Sequence, residues 1–245
     1  MTEPLPKLVV LTGAGMSAES GIATFRDAGG LWDRYPVMDV ASAEGFARNP
    51  ELIHEFYNER RRQLVRVQPN KAHLDLAALE RDYDVWIVTQ NVDNLHERAG
   101  STKVLHLHGE LMKVRSMRDE SRIYTLPDPS LVTPGDHGPL ETTVETRDSF
   151  GSPVRPHIVF FQEAVPNIEP AVRIVSEADV LVIIGTTLNV YPAAGLIHYA
   201  RPGVPVYYID PRPGTVPAGV TIIQESATKG VAQLIDLLKH DQKIH

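Results

Sequence analysis

Four short apolar runs set the terms on which this chain can fold. Leu8–Leu11, Val85–Thr89, Val180–Ile184 and Val206–Ile209 are rich in β-branched residues and too short for helices. Strands without polar alternation belong to sheets buried on both faces, which are mostly parallel. The segments between them carry helical patterning. Pro50–Val65 contains Leu52, Ile53, Phe56, Tyr57 and Leu64, Ala72–Glu80 is rich in Ala and Leu, and Val231–Lys239 closes the chain. Strands alternating with helices predict an α/β fold with a parallel sheet covered on both faces. The rhythm breaks between about Val114 and Pro153, a polar stretch punctuated by proline and glycine, with weak alternation over Arg122–Leu126. That stretch reads as a small inserted module of turns and short strands, because unstructured loops of such length are rare inside compact domains.

Composition narrows the function. A chain of 245 residues holds one large domain, or a main domain with an insertion. The formal charge of −7 argues against broad nucleic-acid or anionic-membrane binding. With no cysteine, disulfides, thiolate metal sites and a cysteine nucleophile are excluded. "MTEPLPK" lacks a leader pattern and no apolar stretch is long enough to span a bilayer, so a cytoplasmic location is expected.

Polar motifs follow the apolar runs. In "LTGAGMSAESGIATFRD", Gly13 and Gly15 after the first run allow backbone N–H groups to approach a phosphate, and Ser17 either caps a helix or donates to a ligand. The spacing departs from the dinucleotide fingerprint: Ala18 stands three residues beyond Gly15, and no acidic residue ends a second strand about 20 residues on. "GTTLNVYP" places Gly185, Thr186 and Thr187 after the third run. "TQNVDNLHERAG" sets Gln90, Asn91 and Asp93 after the second, as ligand-binding groups or as caps for a helix starting near Val92. In "LHLHGEL", His106 and His108 alternate, so on a strand they face opposite ways and do not chelate a metal jointly. Either is a candidate general base or a structural, hydrogen-bonded residue. In "FYNERRRQL", Tyr57 and Arg60 share a helix face and together can grip a carboxylate; the plainer reading makes Arg60, Arg61 and Arg62 a solvated basic turn.

Taken in order, "GAGMSAESGIATFR", "TQNVDNLHERAG", "HLHGEL", "IVFFQE" and "GTTLNVYP" resemble the sirtuin family of NAD-dependent protein deacylases, in particular the bacterial desuccinylase/deacetylase type. The resemblance implies a Rossmann-like, doubly wound NAD domain at residues 1–113 and 154–245, including a helical segment at 33–66, with the small module at 114–153. It implies that NAD is consumed: the acyl group leaves lysine for ADP-ribose and nicotinamide is released. His108 matches the general base acting on a ribose hydroxyl, with Asn91 as its catalytic companion. Gly13, Ala14, Gly15 and Ser17 match the loop holding the NAD phosphates, and Phe25 and Arg26 match residues covering the nicotinamide side. Gln90, Asn91 and Asp93 match the ribose and nicotinamide pocket. Gly185, Thr186 and Thr187 match the loop near the adenosine half, with Asp210 and Ala227 around the adenosine. Val159, Phe160 and Phe161 fall in the segment that pairs with the substrate backbone as an added strand.

Within this resemblance, Tyr57 and Arg60 match the Tyr-x-x-Arg pair of sirtuins that prefer succinyl, malonyl or glutaryl groups, and Ala41 matches a small residue leaving room for them. Acetyl-lysine is expected to be accepted as well. The partners implied are acyl-lysine side chains of proteins, not nucleic acid or membrane. The chain departs from the common pattern twice. The zinc-binding cysteines are missing, with Ser116 where the first would fall and Asp136 and His137 a poor replacement, so no structural zinc is expected and proline turns and strand packing are expected to hold the module. Gln162 stands where the family often has glycine. The competing readings are a non-catalytic NAD or ADP-ribose sensor and a protein ADP-ribosyltransferase.

Overall fold

The computed structural model describes residues 4–24, 35–188, 190–214 and 216–241. Its strands are β1 (Lys7–Thr12), β2 (Asp84–Thr89), β3 (Val104–His106), β4 (Gly109–Ser116), β5 (Ile123–Thr125), β6 (Val154–Ile158), β7 (Val180–Ile184), β8 (Val206–Ile209) and β9 (Val220–Ile223). Six of them form a sheet in the order β3-β2-β1-β7-β8-β9, with every neighbouring pair parallel. The other three form a small antiparallel sheet, β5-β4-β6. The architecture is a Rossmann-like α/β fold with a small domain inserted in it.

Burial explains why the strand sequences do not alternate. Leu8 and Val10 on β1 face Leu76 of the Lys71–Ala78 helix and Leu234 of the Ala227–Asp241 helix. Val9 and Leu11 face Ala171 and Val175 of the Ile168–Ser176 helix and Leu196 of a 3₁₀ turn. Both faces are dry, so successive side chains must all be apolar. The strand order reverses between β1 and β7, and loops leaving two such strands diverge to opposite faces and open a crevice. The edge strand β9 escaped the sequence reading because it is only four residues long and Thr221 and Ile222 are exposed, so it lacks the unbroken apolar run of a buried strand.

A third apolar cluster packs the small sheet against the helices beside it. Ile53, Phe56, Tyr57 and Leu64 of the Pro50–Leu64 helix pack with Val40, Leu95, Leu111, Ile158 and Phe160. The opposite flank of this helix is polar and grips the small domain. Asn58 Nδ2 donates to Thr142 O at 2.9 Å, and Thr142 N donates to Asn58 Oδ1 at 3.0 Å. His54 Nδ1 lies 3.0 Å from Thr142 Oγ1. Arg61 is fully buried, donating from Nε to Leu111 O and from Nη1 to Asn58 Oδ1, both at 2.8 Å. The arginine run is therefore no solvated turn: Arg61 is a buried bracket, Arg62 pairs with Glu141 on the surface, and Arg60 turns elsewhere.

Inside the small domain the dry core is slight: Val114, Leu126 and Val154, flanked by Tyr124, Leu131 and Leu140. Strand packing and proline turns alone do not account for its order. Asp148, buried, accepts from Phe150 N at 2.9 Å and Ser152 N at 2.8 Å through Oδ1, and from Tyr124 Oη at 3.2 Å through Oδ2. The hydroxyl of Ser116 adds a further bond. One carboxylate thus ties β4, β5 and the 148–152 turn together. Desolvation pushes its pKa up, but these bonds outweigh it and hold the carboxyl below its usual range. Asp148→Ala strands buried donors and should cost roughly 2–3 kcal/mol in urea unfolding. A change within about 0.5 kcal/mol, the range of ordinary surface substitutions, would show that the hub is dispensable.

Buried histidines add a pH dependence. Burial, with the Arg61 charge, pushes His54 down to about 4, and burial pushes His73 to about 4. These groups bind protons in the unfolded chain near pH 6.5 before they do in the folded one. Their contribution is therefore complete above pH 6.5 and is lost as pH falls toward 4. At about 1.4 kcal/mol per pKa unit, stability should drop by several kcal/mol across that window. Unfolding free energies that stay flat from pH 7 to 4.5 would contradict this.

Candidate active site

The crevice at the strand reversal opens into a cavity of about 690 Å³ at the carboxyl ends of the parallel strands. Its walls are the loops after β1, β2, β7 and β8, the Pro50–Leu64 helix and the segment after β6. Gly13, Ala14, Gly15, Gln90, Asn91, Asp93, Gly185, Thr186, Thr187, Asp210 and Ala227 all line it, although they span most of the chain. On another wall His108 joins Ala41, Tyr57, Arg60, Val159, Phe160 and Phe161. Phe25 and Arg26 lie outside the described residues.

Glycine is required where the first and third polar loops cross. Gly13 N donates to Ile184 O at 3.0 Å and Gly15 N donates to Gly185 O at 2.9 Å. A Cβ on Gly15 would stand 2.6 Å from Gly185 Cα. One on Gly185, whose φ is +61°, would stand 2.4 Å from Met16 N. These glycines thus let the two backbones touch, and their contact forms the cavity floor. Ser17 lies behind that floor. Its buried hydroxyl donates to Asp93 Oδ2 at 2.9 Å and accepts from Asn91 Nδ2 at 3.2 Å, rather than capping a helix. Asn91 Nδ2 also donates to Gly13 O at 3.0 Å, and Gln90 Nε2 donates to Thr186 Oγ1 at 3.0 Å. Three loops are thereby cross-linked.

The helix expected near Val92 begins at Leu95. Asp93 Oδ1 accepts from Leu95 N at 3.1 Å, so residues 90–93 stay unwound against the cavity. Burial raises the Asp93 carboxyl above its ordinary pKa, although Leu95 N, Ser17 and His106 oppose this. The histidines also depart from the alternating picture, because β3 ends at His106 and His108 sits in the turn beyond it. His108 Nδ1 donates to Gln90 O at 3.1 Å, which leaves Nε2 as the basic nitrogen. Burial lowers its pKa, partly offset by Gln90, so the ring is neutral at pH 7 and able to accept a proton.

Tyr57 is 3% exposed, and burial pushes its hydroxyl up to about 12 against the nearby arginine charges. Burial lowers Arg60, offset by Tyr57 and Asp93, and its guanidinium lies 5.3 Å from the centre of the Phe56 ring. A protonated phenol and a guanidinium thus share one wall of the cavity, and such a pair can bind a carboxylate.

The segment after β6 holds groups that sequence reasoning passed over. Gln162 adopts φ +77°, the left-handed conformation that glycine favours, so the turn keeps a glycine-like backbone without glycine. Glu163 Oε2 accepts from Phe160 N at 2.8 Å, and Oε1 accepts from Arg155 Nη1 at 2.6 Å. Arg155 lies 4.1 Å from the centre of the Phe160 ring. Glu19, at the far end of the cavity, accepts from Thr228 N at 2.8 Å and Ser226 Oγ at 3.1 Å, docking the last helix beside Ala227. No residue spacing announces these long-range pairs.

Known proteins match this architecture. The profile of the Sir2 family matches residues 13–192. A Bacteroides thetaiotaomicron protein named NAD-dependent protein deacylase is 52% identical over 236 residues, which is 96% of this chain and 98% of its own. A Helicobacter pylori protein of the same name is 48% identical over 236 residues, again 96% of this chain and 98% of its own. Among solved structures, a complex of a Sir2 homologue with NAD has a TM-score of 0.81 at 36% identity, covering 96% of this chain and 90% of that one. A mutant Sir2 homologue complexed with ADP-ribose reaches 0.82 at 35% identity, covering 98% and 94%. Family profile, sequence identity and fold agree, and this chain belongs to the Sir2 family.

Proposed function

We propose that the protein is an NAD-dependent protein-lysine deacylase that prefers acidic acyl groups, removing succinyl, malonyl or glutaryl from lysine and accepting acetyl as well. The observation that carries this reading is the meeting, in one cavity, of a neutral histidine base, the cross-linked 90–93 turn and the Tyr57–Arg60 pair. The cavity volume of about 690 Å³ lies in the range of small-molecule and cofactor sites, and its position at the strand reversal is where such sheets bind nucleotides.

Gly13, Ala14 and Gly15 would hold the phosphates of NAD, Gly185–Thr187, Asp210 and Ala227 its adenosine half, and Gln90, Asn91 and Asp93 its ribose and nicotinamide, with Ser17 bracing the turn from behind. When bound, NAD supplies an electron-poor ribose carbon as nicotinamide departs. His108 Nε2 takes a proton from a ribose hydroxyl, and its Nδ1–H bond to Gln90 O keeps the ring in the tautomer that permits this. Asn91, anchored to Gly13 O and Ser17, orients polar groups beside that hydroxyl. Arg60 and Tyr57 hold the acyl carboxylate, and Ala41 leaves it space.

Val159, Phe160 and Phe161 would flank the substrate backbone. Their N–H groups already donate to His108 O, Glu163 Oε2 and Ala41 O. Phe160 O and Phe161 O likewise accept from Glu163 N and Ala43 N, so an added strand is not held through these N–H groups.

Incubation with NAD and a succinyl-lysine peptide should yield nicotinamide and O-succinyl-ADP-ribose by mass spectrometry. His108→Asn should still bind NAD and lose about 100-fold or more in kcat. Nicotinamide without acylated ADP-ribose would point to ADP-ribosylation or hydrolysis, and binding without turnover to a sensor. The purified protein is expected to fold without zinc, and a tightly held zinc recovered by metal analysis would contradict that.

A further inference from the structure

We propose that His106 is a positioning residue for this reaction: held as an imidazolium between the Asn91 carbonyl and the Glu97 carboxylate, it fixes the 90–93 turn on which the site is built. The inference rests on the proposed function for its purpose but not for its geometry.

The turn leaves β2 with its carbonyls pointing at the 106–111 segment, and each is claimed in order. Thr89 O accepts from Leu107 N at 2.8 Å, Gln90 O from His108 Nδ1 at 3.1 Å, Asn91 O from His106 Nδ1 at 2.9 Å and Val92 O from Leu111 N at 2.7 Å. Two of these donors are backbone and two are imidazole rings. The main chain of His106 is anchored as well, since Asn167 Nδ2 donates to His106 O at 2.7 Å.

Its second nitrogen decides the protonation state. Nε2 lies 2.7 Å from Glu97 Oε1. A carbonyl oxygen can only accept, so Nδ1 carries hydrogen, and a carboxylate also only accepts, so Nε2 carries hydrogen too. Both bonds together describe an imidazolium. His108 differs, because its single ring bond requires one proton.

The charges around the ring agree. Glu97 comes from the Leu95–Ala99 helix and Glu110 and Lys113 from β4, with Asp93 on the turn and His96 beside Glu97. Lys113 Nζ donates to Glu110 Oε1 at 2.8 Å, and His106 is the cation in direct contact with Glu97. Glu97, His106 and Glu110 stand close enough to hold a cation, but the ammonium and the imidazolium already supply that charge. Burial opposes the charged ring, yet Glu97, Asn91 O and Glu110 together raise its pKa. Burial likewise pushes the Glu97 carboxyl up, and His106 and Lys113 hold it down.

If His106 loses its proton, only one of its two bonds survives, and a bare nitrogen facing Asn91 O or Glu97 repels it. NAD affinity should therefore weaken on the alkaline side, at the midpoint where His106 titrates. Imidazole nitrogen NMR of the full chain, assigned with His106→Gln, should show both His106 nitrogens protonated at pH 7. Glu97→Gln removes the anion and should move the NMR midpoint and the alkaline limb of NAD affinity down together, by about 1 unit. A neutral His106 at pH 7, or an NMR midpoint that moves while the affinity limb stays, overturns the proposal. Failure to deacylate any peptide would sink the proposed function and leave both readouts standing. The NMR arm judges the protonation state even if no NAD binds.

Discussion

The backbone crossing of Gly13–Gly15 with Gly185 is the contact on which the rest of the site depends. Parallel strands diverge at their carboxyl ends where the order reverses, and a cavity there has no floor unless the two loops meet. Here they meet main chain to main chain, at a separation that no Cβ tolerates. The crossing brings Gly13 O to Asn91 and Thr186 to Gln90. The 90–93 turn is thereby fixed from the β1 side and the β7 side, while the 106–111 segment secures its carbonyls. A site assembled from three distant loops is thus cross-linked by main-chain and side-chain hydrogen bonds between them.

The Pro50–Leu64 helix divides its work between two faces. Tyr57 and Arg60 face the cavity, whereas His54, Asn58 and Arg61 grip the small domain. Consecutive arginines lie about 100° apart around a helix, so Arg60, Arg61 and Arg62 reach cavity, interface and solvent in turn. The cavity wall carrying Tyr57 and Arg60 is thus held from the small domain, because Thr142 fixes the other flank of the same helix. Asp148 serves the same end one layer further out, ordering a domain whose apolar core is too slight to order itself.

The large features were legible because they follow from periodicity. Leu8–Leu11 and Val180–Ile184 read as doubly buried strands by their length and β-branched content, and the Pro50–Leu64 helix shows its apolar stripe plainly. Glycine and polar motifs at strand ends located the cavity, since strand direction fixes where such loops gather. What could not be read rests on contacts between distant residues. Asp148 with Tyr124, Asn58 with Thr142, Glu19 with Thr228, and Arg155 on Phe160 leave no local pattern. The histidine pair misled for a related reason: alternation holds only while the strand lasts, and β3 ends at His106. The helix start at Val92 shifted to Leu95 because Asp93 caps from the turn and keeps residues 90–93 unwound.

In the proposed function one cavity joins NAD-dependent deacylation to recognition of an acidic acyl group. That link is tested most directly by comparing wild type and Arg60→Met on matched acetyl- and succinyl-lysine peptides with NAD. Loss of a charge-assisted bond of about 1.5–3 kcal/mol should lower succinyl kcat/KM roughly 10- to 100-fold and leave the acetyl value within a few-fold. Equal losses on both peptides would make Arg60 a structural residue and contradict the assignment of the Tyr57–Arg60 wall to the acyl carboxylate.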